Sequence, residues 1–169
     1  MATTADSTST ALAGVPATRD WLRWISVALA LVGVLISGYL VWSEVTNVAT
    51  ICPQTGGFNC DLVQNSIYSK VGPIPVAVLG LAGYLAILVC LLLETRVPLP
   101  VERGRLIIFG LTLIGFLFSL YLTAMEAFVL HAWCVWCVGS AITMTLLFVL
   151  SFVRLWREIS QVEAEGEPA

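Results

Sequence analysis

Four stretches of this chain are long and apolar enough to cross a lipid bilayer: Trp24 to Trp42, Val76 to Leu93, Leu106 to Leu130 and Cys134 to Val153. A spanning helix needs about 20 apolar residues. At about 1.5 Å per residue the first covers about 28 Å and the third about 37 Å, so the third must tilt or protrude. The remaining composition agrees. With 59% hydrophobic and 11% charged residues, and a mean hydropathy of +0.93, a chain of 169 residues is too apolar for a soluble domain. The fold class this predicts is all-α, an integral membrane four-helix bundle. Glu126 is the one acid well inside a span, and no Lys or Arg is.

The flanks read differently. Residues 1–20 are rich in Ser, Thr and Ala without periodic large apolar side chains, which predicts a disordered leader. A cleavable signal peptide would place small residues after its apolar region, whereas Ala11-Leu12-Ala13 comes before it, so the first helix is expected to be retained. Residues 21–157 form the expected membrane domain. Residues 158–169, with Glu158, Glu163, Glu165 and Glu167, read as a solvated acidic tail.

Four spans put both termini on one side. Arg19, Arg23, Arg96, Arg103, Arg105, Arg154 and Arg157 fall with the termini and the 94–105 loop, and only Lys70 falls with the opposite loops. The positive-inside rule then predicts cytoplasmic termini. Cys52 and Cys60, in the first outer loop, and Cys134 and Cys137, at the start of the last helix, come to lie together outside the cytoplasm, where disulfides persist. The fifth cysteine, Cys90, sits in a Leu-rich run and reads as a small buried hydrophobe.

Trp133-Cys134-Val135-Trp136-Cys137 carries the chemistry. Thiols at i and i+3 of a helix share a face, and a helix start lowers a thiol's pKa, so Cys134 is the more easily ionised partner. An aqueous C-x-x-C would suggest a thioredoxin-like fold, but no strands or βαβ units are readable around it. Cys52 and Cys60 flank Pro53-Gln54-Thr55-Gly56-Gly57-Phe58-Asn59, a turn-prone segment. That pair alone could be a staple worth about 2.6 kcal/mol in the chain-entropy model. Two pairs on one side of a membrane can instead exchange: a thiolate of one attacks the disulfide of the other and passes two electrons. A zinc site fits the spacing poorly, because seven residues separate the first pair, and haem attachment would want His where Val138 stands. A relay in a bilayer can discharge to a lipid-soluble quinone. Cys137, one turn deeper, would face it, with Cys134 toward the loop and Trp136 placed to wall the pocket. Glu126, an acid in hydrocarbon, is a functional candidate by default, for tuning the thiols, relaying protons or anchoring the bundle. His131, the single histidine, could supply a proton or simply sit at the interface.

Cys52, Cys60-Asp61-Leu62-Val63-Gln64-Asn65-Ser66, Ser69 through Gly72-Pro73-Ile74-Pro75 to Gly80, Tyr121-Leu122 with Glu126, and the 133–137 run together resemble the vitamin K epoxide reductase family, in its bacterial branch, over about residues 20–157. The resemblance implies a four-helix bundle around a quinone of the ubiquinone or menaquinone (vitamin K) type, with an outer loop that often carries a short surface helix. It matches Cys52 to the shuttle cysteine that meets the partner, Cys60 to the one that bridges to Cys134, Cys137 to the quinone-side thiol, and Ser66 to a family serine. The family's animal members carry quinone-binding Asn and Tyr where this chain has Val76 and Ala141, which argues against epoxide reduction. Bacterial relatives reoxidise a secreted thioredoxin-like or DsbA-like protein. The resemblance therefore implies a multi-pass protein of the bacterial inner membrane. With the chain ending a dozen residues after Arg157, that partner is expected to be separate; neither nucleic acid nor metal is expected. Two rivals remain: a DsbB-like oxidase, whose cysteine order is the reverse, and a nonenzymatic four-span scaffold with structural disulfides.

Overall fold

A computed structural model of the chain describes residues 17–53, 57–94 and 101–165. Of the expected leader, residues 1–16 lie outside that range, as do residues 166–169 of the expected tail. The long helices are α1 (Ala17–Thr46), α3 (Val76–Leu93), α4 (Val101–Met125) and α5 (Val135–Glu165); a short α2 (Cys60–Gln64) sits in the loop after α1. Among the described residues, four helical segments are long and apolar enough to cross a membrane: Trp21–Thr46, Val76–Leu93, Gly104–Leu130 and Val135–Arg157. The second coincides with the stretch read from sequence. The others run further, because a helix does not stop where hydrocarbon does: Trp and Arg at its ends continue it into the interface.

One short piece departs from the all-helical expectation. After α2 and a 3₁₀ turn at Ile67–Ser69, strands β1 (Lys70–Val71) and β2 (Ile74–Pro75) pair antiparallel, Lys70 with Pro75 and Val71 with Ile74. Gly72 takes φ +65, a left-handed value that suits the first position of a tight hairpin turn, and Pro73 follows it. Four strand residues are too few for alternation to be seen in sequence. Pro75 then caps α3 with a fixed φ of −60.

The packing is that of a bilayer protein. Val27, Ala30, Tyr84, Ile87, Leu91, Ile108, Met144 and Leu147 make the buried core, with Cys90 packed against it. Large apolar side chains also point outward, Leu35 at 72% and Ile114 at 68% exposure among them. In water such a belt would cost free energy; against lipid it is matched. Helices approach where a side chain is missing. A methyl on Gly33 would overlap the Tyr84 ring, and one on Gly115 would come within 2.8 Å of Met144. At Gly38, Gly83 and Gly110 a methyl would meet nothing within 4 Å. Polar pairs add to the seams: Thr112 and Ser151 hydroxyls meet at 2.8 Å between α4 and α5.

At the end of the bundle away from the cysteines, Glu94 caps α3 and draws in the neighbouring helices. Arg154 Nη2 donates to both its oxygens, at 2.9 and 2.8 Å, and Arg105 Nε donates at 3.3 Å. All three side chains are nearly buried.

Candidate functional site

The site forms where the loop after α1 is sewn to the turn before α5. Asn59 N–H donates to Trp133 O at 3.0 Å and Trp133 N–H to Gly57 O at 3.1 Å, a ladder two bonds long. Trp136 Nε1–H donates to Ile51 O at 3.0 Å, while Ile51 N–H donates to Tyr39 Oη at 3.1 Å. The Trp136 and Tyr39 rings lie 4.6 Å apart. Asn59 Oδ1 accepts Leu62 N–H at 3.1 Å and so starts α2 with Cys60 as its first residue.

This latch gathers Cys52, Cys60, Cys134 and Cys137. Cys60, at 1% exposure, and Cys134, at 0%, share one apolar cluster with Val63 and Ala132, against which Cys52 and Cys137 pack. Cys52 and Cys60 are joined as a disulfide; Cys134 and Cys137 are free thiols. Contrary to the expectation that Cys134 opens the last helix, α5 begins at Val135 and Cys134 caps it. Its carbonyl accepts Val138 N–H at 2.9 Å and its sulfur accepts Cys137 N–H at 3.4 Å, the role an N-cap side chain plays toward the third helical residue. The Cys137 thiol also hydrogen-bonds the Cys134 sulfur, and with the Cys137 and Trp136 N–H groups it holds the Cys134 thiol below its ordinary pKa despite burial and the nearby Glu126 charge. The expected acidity of Cys134 thus arises mainly from its neighbour's thiol.

Glu126 organises the turn. α4 ends in a wider π-turn over Glu126–Leu130, in which Glu126 O accepts His131 N–H, and His131 adopts the left-handed φ of 49 that reverses the chain. The Glu126 side chain turns inward, 4% exposed. Its Oε2 accepts Cys134 N–H at 3.2 Å, and it hydrogen-bonds the Cys137 thiol. Of the readings open for this acid, anchoring is visible, and contact with the deeper thiol stands beside it. His131 lies elsewhere: it is exposed, its Nδ1 is 3.3 Å from Val129 O, and it does not line the cavity below the site.

That cavity, of about 380 Å³, lies within the bundle under the loop. Its size falls in the range of about 300–1,000 Å³ usual for small-molecule sites. Cys137 and Glu126 line it and Cys134 does not, so the two thiols face different surroundings. Ser66 and Val76 line it too, Ser66 with its hydroxyl donated to Val63 O at 2.7 Å. Trp136 and Ala141 are absent from its walls. On α5 the wall is made by Cys137, Ser140 and Met144, one face at helical spacing, from which the neighbouring positions 136 and 141 are rotated by about 100°. The Trp136 ring serves the latch instead.

Among the wall residues not singled out from sequence are Ser37, Tyr84 and Ser140. Tyr84 Oη donates to Ser140 O at 2.8 Å and lies 3.0 Å from Ser140 Oγ, tying α3 to α5. The available signal was a lone phenol within an otherwise apolar span. The wall, apolar over most of its area with polar atoms near Cys137, suits a flat apolar ring bearing hydrogen-bond acceptors. Among the described residues, no group of three or more His, Cys, Asp or Glu is gathered so as to hold a metal. Residues 24–152 match the profile of the vitamin K epoxide reductase family.

Proposed function

The chain belongs to the vitamin K epoxide reductase family, a membership that implies a membrane oxidoreductase linking thiol–disulfide exchange to quinone, and on that premise we propose a relay through its four outer cysteines. The proposal is that the protein reoxidises a thioredoxin-like or DsbA-like protein outside the cytoplasm and so supports disulfide formation there. The observation that carries it is the shared burial of Cys60 and Cys134 in one cluster, with Cys137 alone of the four in the cavity wall.

The steps balance. A partner thiolate attacks Cys52 of the Cys52–Cys60 disulfide and releases Cys60 as thiolate; the partner's second thiol then resolves the mixed disulfide and leaves oxidised. Cys60 attacks Cys134 of a Cys134–Cys137 disulfide and frees Cys137. Cys52 next attacks Cys60, which restores the loop disulfide and leaves Cys134 and Cys137 as the reduced pair, the pattern of bonds described above. A quinone bound in the cavity supplies an acceptor for two electrons and two protons. Glu126, the other acceptor within reach of the Cys137 thiol proton, takes that proton in this scheme, and Cys134, held acidic, closes back on Cys137. Ser66 and Val76 contribute to the cavity's wall. The arginine-rich ends of the spans favour a cytoplasmic location for both termini, with the cysteines outside.

The test is the redox state of the partner in membranes. Cys137→Ala should abolish its quinone-dependent oxidation, and a partner lacking its second thiol should attack the Cys52–Cys60 disulfide and stay trapped as a mixed disulfide on Cys52, a bridge that Cys52→Ala should abolish. Retained oxidation in Cys137→Ala refutes the scheme.

A further inference from the structure

Three side chains in the cavity wall are both polar and buried: Ser37, Tyr84 and Glu126. Two have their hydrogen bonds made. Tyr84 is bonded to Ser140, and Glu126 to Cys134 and Cys137. Ser37, at 3% exposure, makes none with any described residue. The contrast holds along its own helix, where Ser26 Oγ donates to Leu22 O at 2.9 Å, Ser43 Oγ to Val48 O at 3.1 Å and Thr46 Oγ1 to Trp42 O at 2.7 Å. Buried hydroxyls are bonded as a rule, so an exception in a cavity wall points to a missing partner.

The space around Ser37 says what kind. It faces the α3 backbone at Gly80, where a Cβ would stand 3.5 Å from Ser37 Oγ, ordinary contact distance. The absent side chain leaves room for an atom of about that size beside the hydroxyl. That atom must accept a hydrogen bond, since the unmade bond is available as a donor, and it must belong to something otherwise apolar, since the wall is. A quinone carbonyl oxygen meets both conditions.

We propose that Ser37 donates a hydrogen bond to a carbonyl oxygen of the bound quinone, in the notch that Gly80 leaves open, and so fixes the ring within the cavity that Cys137 lines. The inference rests on the quinone reading given above. It makes Ser37 and Gly80 one subsite: the first supplies the donor, the second the space.

Two variants probe the two halves. Ser37→Ala removes the donor; Gly80→Ala keeps it and fills the notch with a methyl that the fold accepts at contact distance. Menadione and a short-tailed ubiquinone, titrated into the purified full-length protein by quenching of tryptophan fluorescence, should each bind about fivefold more weakly to either variant, the loss of one neutral hydrogen bond. The infrared band of a ¹³C-labelled quinone carbonyl should lie lower in the wild-type complex, move up in Ser37→Ala and return in Ser37→Thr. A change in packing alone would not follow that order. If the wild-type protein binds quinone and Ser37→Ala leaves both affinity and band unchanged, the Ser37 assignment is overturned while the quinone reading stands. If the wild-type protein binds neither quinone, both fall.

Discussion

Trp136→Phe should expose Cys134. The wild-type thiol is shut under a loop held to the 133–136 segment by three hydrogen bonds: Asn59 to Trp133, Trp133 to Gly57 and Trp136 to Ile51. At about 1 kcal/mol each they resist opening by about 3 kcal/mol, so Cys134 should react with a maleimide on the order of 100-fold more slowly than an exposed thiol. Phenylalanine keeps an aromatic ring against Tyr39, 4.6 Å away in the wild type, and removes only the indole N–H. One bond of the three is lost, about 1 kcal/mol, and the open fraction rises about fivefold. The assay is a maleimide time course on a quinone-depleted preparation with the loop disulfide intact, read by mass spectrometry of the peptide containing Cys134. An unchanged rate in Trp136→Phe refutes the latch, as does a wild-type Cys134 that labels as fast as in the denatured chain. In the proposed relay Cys60 reaches Cys134 and a partner reaches Cys52, so the variant should also change how readily loop and partner exchange.

Removing the Glu94 carboxylate leaves Arg105 and Arg154 nearly buried beside a neutral group, and Glu94→Gln should destabilise the bundle by about 3–5 kcal/mol in detergent unfolding. Burial alone would raise the Glu94 pKa, but Arg154 and then Arg105 outweigh it and hold the carboxyl below its ordinary value. That contribution is present above the unfolded value of about 4.3 and is lost as pH falls through the lower folded one, so Glu94→Gln should flatten the acid limb of stability. Tyr84→Phe strands the Ser140 groups and should cost about 1–2 kcal/mol, whereas Gly33→Ala forces a methyl into the Tyr84 ring and should cost about 1–3 kcal/mol, both measured by thermal unfolding. Cys137→Ala removes the thiol that donates to Cys134, so alkylation of Cys134 should begin at higher pH than in the wild type; an unmoved profile would mean its acidity comes from elsewhere.

That the chain crosses a bilayer, and where, is legible from residue order, because about 20 uninterrupted apolar residues have no other stable environment. Residue order also determined that four thiols come to one end, since four spans fix which loops share a side. The Val76–Leu93 span was legible to the residue, because Pro75 and Glu94 bound it chemically as well as structurally. What the spans turn toward each other was not legible. A segment such as 76–93 is apolar on every side, so no polar face marks its interior, and Tyr84 can be assigned inward only once its hydroxyl is seen to reach Ser140 across 56 residues. Trp136 shows the same limit: an aromatic next to a reactive thiol suits a pocket wall and a latch equally, and a rotation of about 100° around α5 decided for the latch. The deeper place of Cys137 was legible from helix rise, and the pairing of Cys60 with Cys134 was implied by the family resemblance, but the tertiary structure put Cys60 and Cys134 in one buried cluster and Cys137 in the cavity wall, and it alone left Ser37 with no bond to any described residue beside Gly80. Those are contacts between segments far apart in the chain, and the pairing energy that selects them resides in the packing rather than in any local pattern of residues.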